Sequence, residues 1–527
     1  MLAERAAVRV LQFGACAVVL AAVPYKTFEL DRFFVPKELV LHVTAALALL
    51  LALVHTRRLT LGRVDQLLAL FVGLGVVSAL FAPNWWLAER AVTVSLSGAA
   101  CFWAARALAE RGYRRQLVAA FAFAAVLGAV TALLQTYGVR TEYMSLNRAP
   151  GGTFGNRNFM AHLGAIAMPA LVYCVLAART RGAFVRWNVG IALVAGSLVL
   201  SRSRAAWLAL IVCGAVLLPL GFIALRRTNG ALRLRRLVVV LLALGAGAGA
   251  SLVLPNALDW RSDSPYLDTA RSVVNYKGGS GKGRLVQYGN TLRMSVRHPL
   301  LGVAPGNWAV VYPRFASPSD PSLTDDGMTA NPWPSSDWMT FVSERGVAAF
   351  VVLLLAVLAL ATDGLRAARR DPDPEERLAA CALIGTLVVL LVVGAFDAVL
   401  LLPVPALIAW GLLGALSPPA QARRVVELSL PKRLLLGVGV LAVGAMAATR
   451  SATQIGAMSI FNATTRASQL ERAATLDPGS YRIRVRLADA YLRRGSCGRA
   501  SQHAGVARGL FPNAAEPKRL LAQCGRQ

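Results

Sequence analysis

Residues 378–401 read LAACALIGTLVVLLVVGAFDAVLL, and this stretch decides the fold. A helix crosses the apolar core of a bilayer in ~20 residues, and this run is long and apolar enough to do so. Working outward, comparable runs cover 10–24, 39–55, 65–82, 92–109, 117–137, 159–178, 205–225, 237–254, 347–362 and 434–449. Two more, 187–200 and 404–416, are short and read as tilted, re-entrant or half-helical segments. The pattern predicts an all-α, polytopic membrane bundle of about 12–13 spans.

Composition agrees. Charged residues make up 16% of the 527, where a soluble domain carries about 25%. A disordered chain and an ordinary soluble enzyme are both excluded. The formal net charge is +29, which in another context would point to nucleic acid. Here the basic residues form short clusters between apolar runs instead of one stripe. The clusters are Arg57, Arg58 and Arg63; Arg106, Arg111, Arg114 and Arg115; Arg179, Arg181 and Arg186; Arg226, Arg227, Arg233, Arg235 and Arg236; Arg366, Arg369, Arg370 and Arg377; and Arg423, Arg424, Lys432 and Arg433. They occupy every second linker, which places those linkers in the cytoplasm and the others outside. Arg5 and Arg9 put the amino terminus in the cytoplasm too, and the first run reads as an uncleaved span.

Four regions follow: amino-terminal spans over 1–254, a large outer loop over 255–346, further spans over 347–449, and a tail over 450–527. The tail is less hydrophobic and amphipathic. Its small residues Ala500, Ala504 and Ala507, with Pro478 and Pro512 about one repeat apart, resemble a tetratricopeptide unit of 34 residues. Such a fragment is too short to stand alone and is expected to pack on the membrane domain or on a partner. Thirteen spans place it outside, twelve inside. Cys16, Cys101, Cys174, Cys213 and Cys381 lie in apolar runs and read as small core residues. Cys497 and Cys524 lie in the tail, where an oxidising compartment would let them pair.

Chemistry-bearing residues concentrate on the outer side. Gly151 to Phe159 reads GGTFGNRNF, a turn that sets Asn156, Arg157 and Asn158 at the start of a helix, either as a cap or as ligand donors. Ser201-Arg202-Ser203-Arg204 joins two spans; its arginines either snorkel or hold a phosphate bidentately. The large loop carries Arg284, Arg293, Arg297 and His298, then Gly302 to Trp308, and the aromatics Trp260, Tyr266, Tyr276, Tyr288, Tyr312, Trp333 and Trp338. Aromatic faces beside polar groups hold sugar rings, or anchor a loop at the interface. No nucleotide-binding glycine loop and no acidic metal cluster occur, so neither cofactor nor metal is expected.

The order of these pieces resembles the O-antigen ligase/Wzy-type polymerase superfamily. The resemblance rests on Gly152 to Asn158, Ser201-Arg202, Arg284, and His298 to Asn307, with Asp31, Pro36 and Lys37 fitting the first outer loop. It spans about residues 25–420; the tail is an appendage. Glu344-Arg345-Gly346 matches the end of the family's large loop, but Ser335 stands where the family carries a His.

The resemblance implies a donor glycan on undecaprenyl diphosphate, a saccharide or lipid-linked acceptor hydroxyl, and an active site at the periplasmic face of the inner membrane. Arg202 and Arg284 are then the expected catalytic cations, with Arg204, Asn156, Arg157, Asn158, His298, Asn307, Trp338 and Glu344 binding substrate. With the His missing, Asp337 is the expected base. Glu344 is a second candidate, and a third path uses no strong base. A lipid-linked oligosaccharide transporter is the alternative function, and a catalytically dead scaffold a third.

Overall fold

The computed structural model describes residues 2–54, 56–225, 230–260, 262–271, 279–419 and 424–525. Arg226, Arg227, Tyr276 and Arg423 lie outside the described residues. The amino-terminal helices are α1 (Leu2–Leu20), α2 (Asp31–Leu53), α3 (Arg63–Ala79), α4 (Trp85–Leu108), α5 (Arg114–Thr136), α6 (Arg157–Leu176), α7 (Arg181–Ser201), α8 (Arg204–Leu225) and α9 (Gly230–Val253). The outer loop holds α10 (Pro265–Arg271), α11 (Gly279–Arg297) and α12 (Trp308–Val311). Then follow α13 (Asp337–Arg370), α14 (Pro374–Phe396), α15 (Pro403–Leu416) and α16 (Leu430–Ala463). The tail contributes α17 (Ala467–Leu476), α18 (Tyr481–Leu492), α19 (Cys497–Leu510) and α20 (Ala515–Cys524). Strands β1 (Arg58–Leu61) and β2 (Arg424–Glu427) pair antiparallel, with Arg58 opposite Glu427.

Nine of the described stretches are long and apolar enough to cross a membrane. One of them, Trp85–Thr136, is two helices: α4 and α5 part at a π-turn where Gly112 takes φ +90°. With these counted apart and α1, α3 and α15 added, thirteen of the described helices build the bundle. The short run at 187–200 belongs to α7, a full 21 residues, while the one at 404–416 is α15, only 14. The run 434–449 belongs to the 34-residue α16, so the boundary at residue 450 falls inside a helix that carries the tail.

Asp31, Pro36 and Lys37 lie within α2 and not in a loop. Pro36 cannot donate to the Arg32 carbonyl, but that carbonyl accepts from Val23 N–H at 2.9 Å. Lys37 is buried and donates to Val19 O (3.0 Å) and Ala21 O (2.5 Å), carbonyls at the end of α1.

The Arg-rich linkers meet at one end of the bundle. Arg111 pairs with Glu4 at 3.2 Å, Arg114 with Glu376, and Arg115 with Glu375. Arg236 donates to Leu176 O at 2.8 Å, and Arg433 to Val54 O at 3.0 Å. The outer loop and the tail share the opposite end. There Asp326 accepts from the amides of Ala515 (3.1 Å) and Glu516 (2.9 Å) and from the Tyr481 hydroxyl (3.1 Å). Asn84 Nδ2 donates to Leu510 O at 3.2 Å. Tail and loop thus share one end of the bundle.

Candidate functional site

The glycine turn before α6 is shaped by its surroundings. Gln135 Oε1 accepts from the amides of Gly151 (2.9 Å) and Gly152 (2.8 Å), and Gly155 at φ +71° has no room for a side chain against the Phe33 ring. Asn156 then caps α6, accepting from Asn158 N–H at 3.0 Å. The cap fixes Arg157 at the first helical position, half-buried.

A second turn brings its arginines to the same place. Arg202 ends α7 at φ +55°, a left-handed conformation uncommon for a residue with a Cβ. This sends its side chain sideways: Nε donates to Thr269 Oγ1 at 2.8 Å, and the guanidinium lies 4.6 Å from the centre of the Trp260 ring. Arg157 stands 5.0 Å from the same ring, close enough for the two cations to repel. Neither forms an ion pair among the described residues. The Trp260 indole N–H and the Tyr266 hydroxyl are buried atoms with no hydrogen-bond partner there.

Arg284, in the first turns of α11, is in electrostatic contact with His162, Arg204, Tyr288 and Asp397. His162 is buried, with Nε2 3.5 Å from Ser203 Oγ and Nδ1 without a hydrogen-bond partner among the described residues. The Tyr288 hydroxyl sits between the carbonyls of Ser335 (2.5 Å) and Ala395 (2.9 Å), and burial pushes it up to about 12. Ser335 therefore borders this cluster, as its place in the sequence suggests.

Asp397 supplies the negative charge. It follows α14 directly, and burial raises its carboxyl to about 6 against the pull of Arg284, the Ala398 amide and Arg148. Its Oδ1 accepts from Ala398 N–H at 2.9 Å. Sequence reasoning missed Asp397, although an acid at the end of an apolar run is a functional signal in its own right. His162 and Arg148 were missed too.

Asp337, the expected base, is fully buried, and its oxygens accept from the amides of Val399 (2.9 Å) and Leu400 (3.0 and 3.1 Å). It holds the turn that follows Asp397. Trp338 packs beside it and donates to Leu391 O at 3.1 Å. Glu344 accepts from the amides of Gly306 (2.8 Å) and Trp308 (3.1 Å). The buried Asn307 exchanges hydrogen bonds with the backbone of Asn84. Glu344 and Asn307 thus pin the loop to the bundle. His298 is exposed at the far end of α11, about 21 Å along the helix axis from Arg284. The structure brings Arg157 to Arg202 and Arg204 to Arg284; His298 lies at the other end of α11, and Asn307 and Glu344 bind backbone instead.

Paired arginines, one of them beside the Asp397 carboxylate, suit an anionic leaving group and a proton acceptor. No curated protein matches this chain. Residues 189–354, which contain Arg202, Arg204 and Arg284, match the family model described as O-Antigen ligase, and this match bears out the resemblance to the O-antigen ligase/Wzy-type superfamily.

Proposed function

We propose that this chain is a membrane glycosyltransferase that moves a glycan from undecaprenyl diphosphate to an acceptor hydroxyl at the periplasmic face of the inner membrane. The observation that carries the reading is the pairing of like charges, Arg157 with Arg202 and Arg204 with Arg284, with Asp397 in electrostatic contact with Arg284. Similarity to O-antigen ligases supports a glycan ligase or polymerase in general.

The acceptor oxygen attacks the anomeric carbon while the bond from that carbon to the diphosphate breaks. Charge grows on the departing diphosphate, and the arginines stabilise it where little water competes. The acceptor proton passes to the Asp397 carboxylate, which is ionised at neutral pH and basic enough to take it. The lipid–sugar bond is already activated, so the reaction uses no nucleotide. The acceptor is a second lipid-linked repeat for a polymerase and a lipid-linked core for a ligase.

The test uses protein in lipid, a lipid-diphosphate-linked oligosaccharide and each acceptor class in turn. Elongated glycan with released lipid diphosphate supports the proposal. Movement of labelled lipid across the bilayer without product would replace it with a transporter.

A further inference from the structure

We propose that Cys497 and Cys524 join in a disulfide that staples the last helix of the tail. The inference rests on the reading that loop and tail face an oxidising compartment. Cys497 opens α19 and Cys524 closes α20. The two helices double back on each other at Phe511–Ala514, so their outer ends meet. Cys524 Sγ lies 3.7 Å from Cys497 O. The two cysteines are not bonded in the structure, but the Cys524 thiol is close enough to raise the Cys497 thiol by a side-chain hydrogen bond.

The remaining cysteines lie in α1, α4, α6, α8 and α14, inside the bundle. Both cysteines of the tail are partly exposed, so an oxidant can reach them. The staple answers a structural need. Helix α20 is ten residues long, too short to persist unaided, and terminal helices fray unless tied down. Its first turn is tied through Asp326, which accepts from Ala515 and Glu516. Its last turn has Cys524.

The oxidant is the disulfide of a thiol–disulfide oxidoreductase. One cysteine thiolate attacks it to form a mixed disulfide, and the second displaces the carrier. Two S–H bonds are lost and one S–S bond forms. The two electrons and two protons leave with the carrier, which ends as a dithiol. With its first turn held by Asp326, the bridge fixes the other end of α20, and with it the turn whose Leu510 and Asn513 contact Asn84 and Val310.

To test this, membranes are treated with N-ethylmaleimide before solubilisation, and the protein is digested without reductant. Mass spectrometry should find the Cys497 and Cys524 peptides joined, two hydrogens lighter than the separate thiols, and released by dithiothreitol. Tryptic cleavage at Lys518 and Arg519 should rise several-fold after reduction and in Cys524→Ser. Alkylation of both thiols in membranes overturns the proposal. A second arm places the exposed Arg494→Cys in a Cys497→Ser/Cys524→Ser background and treats intact spheroplasts with an impermeant maleimide. Labelling there, with both native thiols alkylated, overturns the disulfide alone. Labelling only after permeabilisation puts the tail inside and overturns the periplasmic reading together with the disulfide.

Discussion

Arg157 and Arg202 share one aromatic ring: their guanidinium carbons stand 5.0 and 4.6 Å from the centre of Trp260. They come from different helix ends, α6 and the α7–α8 turn, and no carboxylate forms an ion pair with either among the described residues. Holding like charges together costs energy that a bound anion would repay. Arg202→Ala should lower the rate of lipid diphosphate release by about 10²-fold or more, the usual cost of losing one charge-stabilising donor. Arg202→Lys should recover part of that loss. Equal rates in the wild type and Arg202→Ala would remove this arginine from the reaction.

Asp397 gives the reaction a pH signature. Its carboxyl titrates at about 6, and only the ionised form accepts a proton. Activity should therefore climb as pH rises through about 6 and then level off. Asp397→Asn should lose about 10²–10⁴ in turnover, the usual range for a positioned base, and with it the acid limb. A pH profile of single-turnover rates checks both.

Asp337 should behave differently. Its oxygens are used by the Val399 and Leu400 amides, so Asp337→Asn should cost about 1–3 kcal/mol through a buried amide left short of an acceptor. Thermal unfolding in detergent measures that loss. Whatever activity remains should keep the wild-type pH limb.

Gly346 breaks α13 at φ +80°, and a Cβ there would sit 2.0 Å from Leu300 O. Gly346→Ala should destabilise the loop by about 1–3 kcal/mol, because backbone strain and a backbone clash act together. Proteolysis of residues 300–336 should accelerate. His298→Ala, at an exposed position away from the arginines, should leave turnover unchanged.

The bundle was legible because it rests on local composition: a run such as 378–401 declares its helix without knowledge of its neighbours. The arginines at 157, 202 and 284 were legible because each sits in or beside a recognisable turn or loop of the sequence. What stayed hidden depends on distant packing. Asp337 and Asp397 are both acids beside apolar sequence, and only the fold of α13 against the α14–α15 turn decides that one binds backbone amides while the other faces Arg284. His162 lies inside an apolar run, and its electrostatic contact with Arg284 depends on where the distant α11 comes to lie. The resemblance put Pro36 and Lys37 in a loop; they lie in α2 because another segment supplies the contacts that let them, Val23 to the Arg32 carbonyl and the end of α1 to Lys37.

The most direct measurement is single-turnover transfer with purified protein in lipid, a lipid-diphosphate-linked oligosaccharide, an acceptor and no nucleotide, comparing the wild type with Arg284→Ala. The wild type should release lipid diphosphate in step with glycan transfer, and Arg284→Ala should fall by about 10²-fold or more. Equal transfer by both proteins, or transfer that requires a nucleotide, would contradict the account.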